Sequence, residues 1–189
     1  MQAEPEFNLA GQFLVAMPLL VDPNFHRTVT CLCEYSPKGA LGIVINRYDA
    51  HLTGKDVFSQ LEVEYKPEAG AVPVHLGGPV HPNELFILHG PPLNWEGTHE
   101  FQAGLALSNT MDLVTAIAQS RGPENYIIAL GCAGWGPGQL DNELTENTWI
   151  TVPMDQEVLF DLPVESRWES VMARNGIDPA VLSGTAGHA

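Results

Sequence analysis

Basic residues are what this chain has least of. Eight Lys and Arg stand against 23 Asp and Glu in 189 residues, a formal net charge of -15, and neither Lys nor Arg occurs between Lys66 and Arg121. Proteins that grip DNA or RNA neutralise phosphates with clustered Lys and Arg. No such cluster exists in the sequence, so direct nucleic-acid contact is excluded as an expectation, and an anionic membrane surface is disfavoured for the same reason. Cysteine is scarce too. Three thiols, an odd number, point to a reducing cytosol and not to a disulfide framework. No apolar run reaches the roughly 18 residues that cross a bilayer. The opening MQAEPEF is acidic and lacks the apolar stretch of a signal peptide. Internal repeats, long linkers and low-complexity tracts are missing as well.

What is present is an ordinary folded composition. Hydrophobic residues make up 44% and charged residues only 16%, unlike a disordered acidic tail. The length predicts one domain over 1–189, with residues 1–10 as a loose arm. Strands are predicted at Gly11–Ala16, Thr28–Tyr35 and Ala40–Asn46, the last two forming a hairpin across Ser36-Pro37-Lys38-Gly39. Thr53 and Asp56 have capping-box spacing, with Asp in place of the usual Glu, and open a helix to about Leu61. Residues 62–71 read as a polar loop. Further strands are expected at Val72–Leu76, Leu85–His89, Tyr126–Leu130 and Trp149–Val152, with another strand or a hairpin between Thr98 and Leu107. Asn109 is placed as the cap of a helix over Thr110–Ser120, whose apolar stripe is Met111, Val114, Ile117 and Ala118, stopped by Gly122 and Pro123. Short helices follow at Gln139–Glu143, Asp155–Phe160 and Val164–Asn175, and a turn at Asp178-Pro179. Paired strands with irregularly interspersed helices predict an α+β fold with a mixed, largely antiparallel sheet.

Chemistry concentrates in the run from Gly131 to Leu144, where Gly131, Gly134, Gly136 and Gly138 surround Trp135. Read as a strand-to-helix turn, such a run means tight packing or a ligand held against bare backbone. Cys132 sits where a helix N-terminus would lower a thiol pKa. The string is not G-x-C-x-G, and none of the scattered histidines is identifiable as its base. It reads as a packing residue or as a reactive thiol. Cys31 and Cys33 share one strand face with Val29 and Tyr35; they read as buried small hydrophobes, and their spacing is not that of a zinc pair. No metal is expected. Asn46 and Arg47 end an apolar strand with polar groups, and Arg is the usual fork for a carboxylate or phosphate. Gly77-Gly78-Pro79 exposes backbone without any nucleotide motif. Gln139 and Glu143 lie one helical turn apart, as a pocket wall or a cap. If the strand ends align, Asn46, Arg47, Gly77, Gly78, Gly131, Cys132, Gly134, Trp135 and Gln139 gather at one rim of the sheet, suited to a small anion or carboxylate.

The strings GQFLVAMPLLVDPNFHRTVTCLCEYSPKGALGIVINR, HLGGPV with ELFILH, and GCAGWGPGQLDNELTENTW resemble the AlgH/YqgE family of small bacterial proteins, in that family's order and over Gly11 to Trp149. Three positions depart from its pattern. Tyr48 stands where the family's I-N-R-P has proline, Tyr35 follows Glu34 where the family has E-H, and Cys132 occupies a position often aromatic in relatives. The resemblance implies a compact α+β domain with a strongly curved, mostly antiparallel sheet and flanking helices. It also implies a cytosolic location and a transcriptional-regulator label that derives from a genetic association with alginate production. It implies no catalytic residue and no cofactor.

The expected function is therefore a binding or regulatory module acting through a protein partner or a small anionic ligand. The alternative is a small-substrate enzyme using Cys132, Trp135 and the Asn46–Arg47 rim. The charge balance yields a direct test. In about 0.15 M salt the protein should give no mobility shift on duplex DNA at micromolar concentration, where sequence-specific binders act at roughly 10⁻⁸–10⁻¹¹ M. Submicromolar binding with a steep salt dependence would refute it.

Overall fold

Ten strands in one hydrogen-bonded sheet organise residues 8–182, the part of the chain that the computed structural model describes. They are β1 (Gln12–Ala16), β2 (Val29–Ser36), β3 (Gly39–Val44), β4 (Tyr48–Thr53), β5 (Pro73–Leu76), β6 (Val80–His89), β7 (His99–Gln102), β8 (Leu105–Ser108), β9 (Tyr126–Trp135) and β10 (Trp149–Pro153). The main path runs β10-β1-β2-β3-β9-β6-β8-β7, while β5 pairs with both β4 and β9. Only the β5–β9 pair is parallel, so the sheet is mixed and mostly antiparallel. Helices α1 (Gly54–Gln60), α2 (Pro67–Gly70), α3 (Met111–Ala118), α4 (Gln139–Thr145), α5 (Arg167–Arg174) and α6 (Pro179–Leu182) complete the α+β fold, with a π-helical turn at Glu157–Asp161 and a 3₁₀ turn at Val164–Ser166.

Alternation along the strands buries both faces of the sheet. Phe13, Val15, Cys31, Ile43 and Ile127 share one cluster with Trp168, Val171 and Met172 of α5. On the other face, Ile87 and Ile128 pack under Val57 and Phe58 of α1 and Leu113, Val114 and Ile117 of α3. Farther along that face, Leu14, Ala16 and Leu32 pack with Trp135, Trp149 and Leu140 of α4. Leu9 is buried in this last group, and residues 1–7 of the expected arm lie outside the described part.

Several local expectations meet a physical correction. Thr53 and Asp56 do close the first helix, the Thr53 N–H donating to Asp56 Oδ2 at 2.9 Å. Thr110, not Asn109, is the N-cap of α3, and Met111 is exposed while Leu113 takes its place in the core. Within the expected polar loop 62–71, Pro67 starts the short α2. A bulge between Leu32 and Glu34 leaves Cys33 without an opposite residue on β3. That extra residue turns Tyr35 away from Cys31 and Cys33 and onto the cluster that holds Leu32. Cys31 and Cys33 are buried and free, and burial pushes the Cys33 thiol pKa up.

The first part of the glycine run is itself strand, and Gly136-Pro137-Gly138 makes the expected turn into α4. β9 continues through Gly131 to Trp135, where Ala133, Gly134 and Trp135 pair with Gly42, Leu41 and Ala40 of β3. Its first half lies between β5 and β6, since Ile128 pairs with Val74 on one side and Ile87 on the other. Consecutive strands β5 and β6 thus flank β9, and the chain crosses it through Gly77-Gly78-Pro79. Backbone meets backbone at this crossing. A Cβ on Gly77 would lie 2.2 Å from Gly131 O, and one on Gly78 would lie 2.3 Å from the Cys132 carbonyl, with Gly78 at φ +148°. Of the two readings of these glycines, close packing accounts for Gly77, Gly78 and Gly131. Gly78→Ala should lower unfolding free energy by roughly 3 kcal/mol or more, the upper range for overpacking. Gly104→Ala, with φ +77° but open space around it, should cost only the left-handed strain of about 1–2 kcal/mol. Urea denaturation of the two variants checks the difference.

Candidate functional site

The segment Met17–Thr28 has no regular secondary structure, yet its backbone groups are extensively paired. Met17 N–H donates to Thr148 O, Leu20 N–H to Met17 O, and both Phe25 and His26 N–H to Asp22 O. Asp22 Oδ1 accepts from Asn24 N–H at 2.7 Å, an Asx turn that fixes the Asp22-Pro23-Asn24 corner. His26 Nδ1 reaches back to Leu20 O at 2.8 Å. The connection between β3 and β4 clamps this loop. Asn46 accepts from Val29 N–H at 2.7 Å and donates to Arg27 O at 2.8 Å. Arg47 donates to Pro23 O at 2.6 Å and to His26 O at 2.8 Å. A guanidinium fork suits two carbonyls presented side by side.

Between those carbonyls the loop turns Phe25 inward. Its ring stacks near Trp135, at 6.4 Å between centroids, and meets Trp149 edge-on at 5.5 Å; the two indoles are themselves T-shaped at 5.9 Å. Both indole N–H groups donate to one oxygen, Glu143 Oε2, at 2.9 and 2.8 Å. Glu143 Oε1 accepts from Gln139 Nε2 at 2.8 Å, and Gln139 Oε1 accepts from Gly136 N–H at 3.0 Å. The i, i+4 spacing of Gln139 and Glu143 on α4 places both over the ends of β9 and β10. Tyr35 adds a hydrogen bond to Asp141, which raises its phenol pKa.

Held this way, the loop displays Leu19 and Val21, 65% and 85% exposed. Beside them lies a groove of about 680 Å³ lined by Met17, Leu20, Pro23 and Thr148. Asn147 also lines a second groove of about 520 Å³ along Leu144, Ile150 and Thr151. Asp22, Glu146 and Asp141 are the charged residues of these linings, and neither contains Lys or Arg.

The predicted rim residues divide into three groups. Asn46 and Arg47 lie behind the loop, and Trp135 with Gln139 beneath it. Gly77, Gly78 and Gly131 form the backbone crossing, where Gly77 N–H is taken by Leu130 O. Gly134 is exposed in β9, and Cys132 is 1% exposed in the same strand. Burial raises the Cys132 thiol pKa, with Glu84 and Glu34 adding to the effect, the reverse of what a helix N-terminus would do. Elsewhere, His75 is 5% exposed with neither ring nitrogen hydrogen-bonded. Burial, and then the Arg167 charge, lower its pKa to about 4 against a smaller opposing pull from the Ile128 backbone. Arg167 is itself buried and donates to Ile45 O and Leu162 O. Among the described residues no group of three or more His, Cys, Asp or Glu could hold a metal ion, and no helix is long and apolar enough to cross a membrane. Leu19 and Val21 went unmarked in the sequence; the bracketing Pro18 and Pro23 were the signal.

A family model described as AlgH-like matches residues 13–180. The chain belongs to the AlgH-like family. A UPF0301 protein of Desulforapulum autotrophicum is 50% identical over 89% of each chain, and one of Methylococcus capsulatus is 43% identical over the whole of both. The solution structure of the AlgH protein from Pseudomonas aeruginosa superposes with a TM-score of 0.80 at 41% identity, covering 100% of both chains. A crystal structure of a Corynebacterium diphtheriae protein shares the fold at TM-score 0.71 and 20% identity, covering 97% of this chain and 94% of that one. The match spans loop, clamp and floor alike in this AlgH-like chain.

The floor makes a mutational claim. Glu143→Ala removes the acceptor of two largely buried indole N–H groups, each worth about 1–3 kcal/mol when left unpaired. Stability in urea should fall by roughly 2–4 kcal/mol, and Glu143→Gln, which keeps one acceptor oxygen, should lose less. Equal losses in both variants would remove the hydrogen-bond explanation.

Proposed function

We propose that the protein is a regulatory binding module of the cytoplasm that docks a protein partner through the Met17–Thr28 loop, without touching DNA itself. The observation that carries this reading is a loop clamped from both sides that displays two large aliphatic side chains beside an apolar groove of about 680 Å³. Exposed apolar surface rimmed by polar groups marks an interaction site. A loop fixed in advance avoids the ordering cost of association. Asn46, Arg47, Trp135 and Gln139 then serve as positioning residues, and Gly77, Gly78, Gly131, Cys132 and Gly134 carry the strand that supports the floor. A protein partner is favoured over a small anion because two Arg47 nitrogens already donate to Pro23 and His26 carbonyls. The enclosed Cys132 thiol, with its raised pKa, lacks the access and thiolate character of a nucleophile. Three free cysteines suit the cytoplasm.

Complementation separates docking from catalysis. In a strain deleted for this gene, quantitative proteomics should show protein levels restored by wild type and by Cys132→Ala, and not by a stably folded Leu19→Asp/Val21→Asp variant. Restoration by the loop variant together with failure of Cys132→Ala would overturn the reading.

A further inference from the structure

The partner's chemistry is written in the charges around the two grooves that share Asn147. Asp22, Glu146 and Asp141 lie among the apolar linings, and no Lys or Arg does. Two of the nearby cations are already engaged, and Lys38 sits in the turn between β2 and β3, outside both linings. Arg47 lies behind the loop on Pro23 and His26 carbonyls, and Arg27 pairs with Glu169 across the Trp168 ring. Helix α4, which ends at this track, has no basic residue in its last turn. Resting on the docking reading above, we infer that the occupant is a cationic segment of a partner protein, with Lys or Arg flanking aliphatic or aromatic anchors. The anchors fill the groove beside Leu19 and Val21, and the cations meet Asp22, Glu146 and Asp141.

Other occupants fit less well. A second copy would bring another chain of formal charge -15 against the same acidic rim, and like charges juxtaposed in an interface are strongly disfavoured. The chain's own first residues, MQAEPEF, carry two glutamates and no base, and the last, SGTAGHA, offer no large aliphatic side chain. A cationic partner reverses both objections. Opposite charge also speeds encounter and suppresses wrong partners, which suits a site whose anchors are only two aliphatic residues and a shallow groove.

The test pans a phage-displayed library of random short peptides on the immobilised full-length protein, with a Leu19→Ser/Val21→Ser double variant as the counter-screen. Both substitutions are at exposed positions, and thermal melting confirms that the variant is folded. Peptides retained by wild type and lost on the variant should be net positive and carry aliphatic or aromatic residues. A synthetic copy of the most enriched one should bind about tenfold more weakly to Glu146→Lys, whose side chain is free of the loop's own hydrogen bonds. It should also weaken as ionic strength rises from about 0.05 to about 0.5 M. Variant-sensitive peptides that are neutral or acidic, or affinity unchanged in Glu146→Lys and in salt, would overturn the cationic partner while leaving the docking loop intact. Enrichment with no sensitivity to Leu19 and Val21, or no enrichment at all, would overturn both.

Discussion

One carboxylate oxygen, Glu143 Oε2, receives the N–H groups of both Trp135 and Trp149. Trp135 ends β9 and Trp149 begins β10, strands that are not neighbours in the sheet. In a partly buried setting each indole N–H needs an acceptor, and one side chain from α4 supplies both. The position of α4, the approach of the two strand ends and the T-shaped pair of indoles under Phe25 all depend on this shared acceptor. The loop above that floor is in turn held from behind by Asn46 and Arg47. Removing either support leaves the loop attached on one side only.

Much of the fold was legible because it follows period-2 alternation. The β2–β3 hairpin, β1, β10 and the Thr53–Asp56 cap lie where the residue types place them. β4 was not legible: YDAHLT is mostly exposed and pairs only with β5, so it carries no apolar alternation. The Gly131–Trp135 part of the glycine run misled for a different reason. Glycine signals a turn and also permits one backbone to cross another, and only the topology of β5, β9 and β6 shows which applies. The Cys33 bulge reversed the side to which Tyr35 points, and one extra residue in a strand leaves no mark in composition. At the site, the residue types were recognisable while their partners were not. Arg47 was read as a fork for an anion, and its fork is filled by two main-chain carbonyls of an irregular loop. Leu19 and Val21 are aliphatic residues that composition assigns to a core.

The scarcity of basic residues becomes sharper in three dimensions. Of eight Lys and Arg, Arg27 and Arg174 are paired with carboxylates, and Arg47 and Arg167 are spent on main-chain carbonyls. Half of the chain's positive charge is therefore used to hold the structure together. What remains for the surface is more one-sided than the composition suggests, which concentrates negative potential wherever acidic residues border apolar surface.

The aromatic floor has one more consequence. The chain contains four tryptophans, and three of them touch the loop: Trp135 and Trp149 through Phe25, and Trp168 through the Arg27 guanidinium 4.5 Å above its ring. Indole emission responds to the polarity and charge around the ring. Any change that shifts the loop alters the surroundings of three of the four tryptophans at once, so the molecule carries an intrinsic optical reporter of the loop's position.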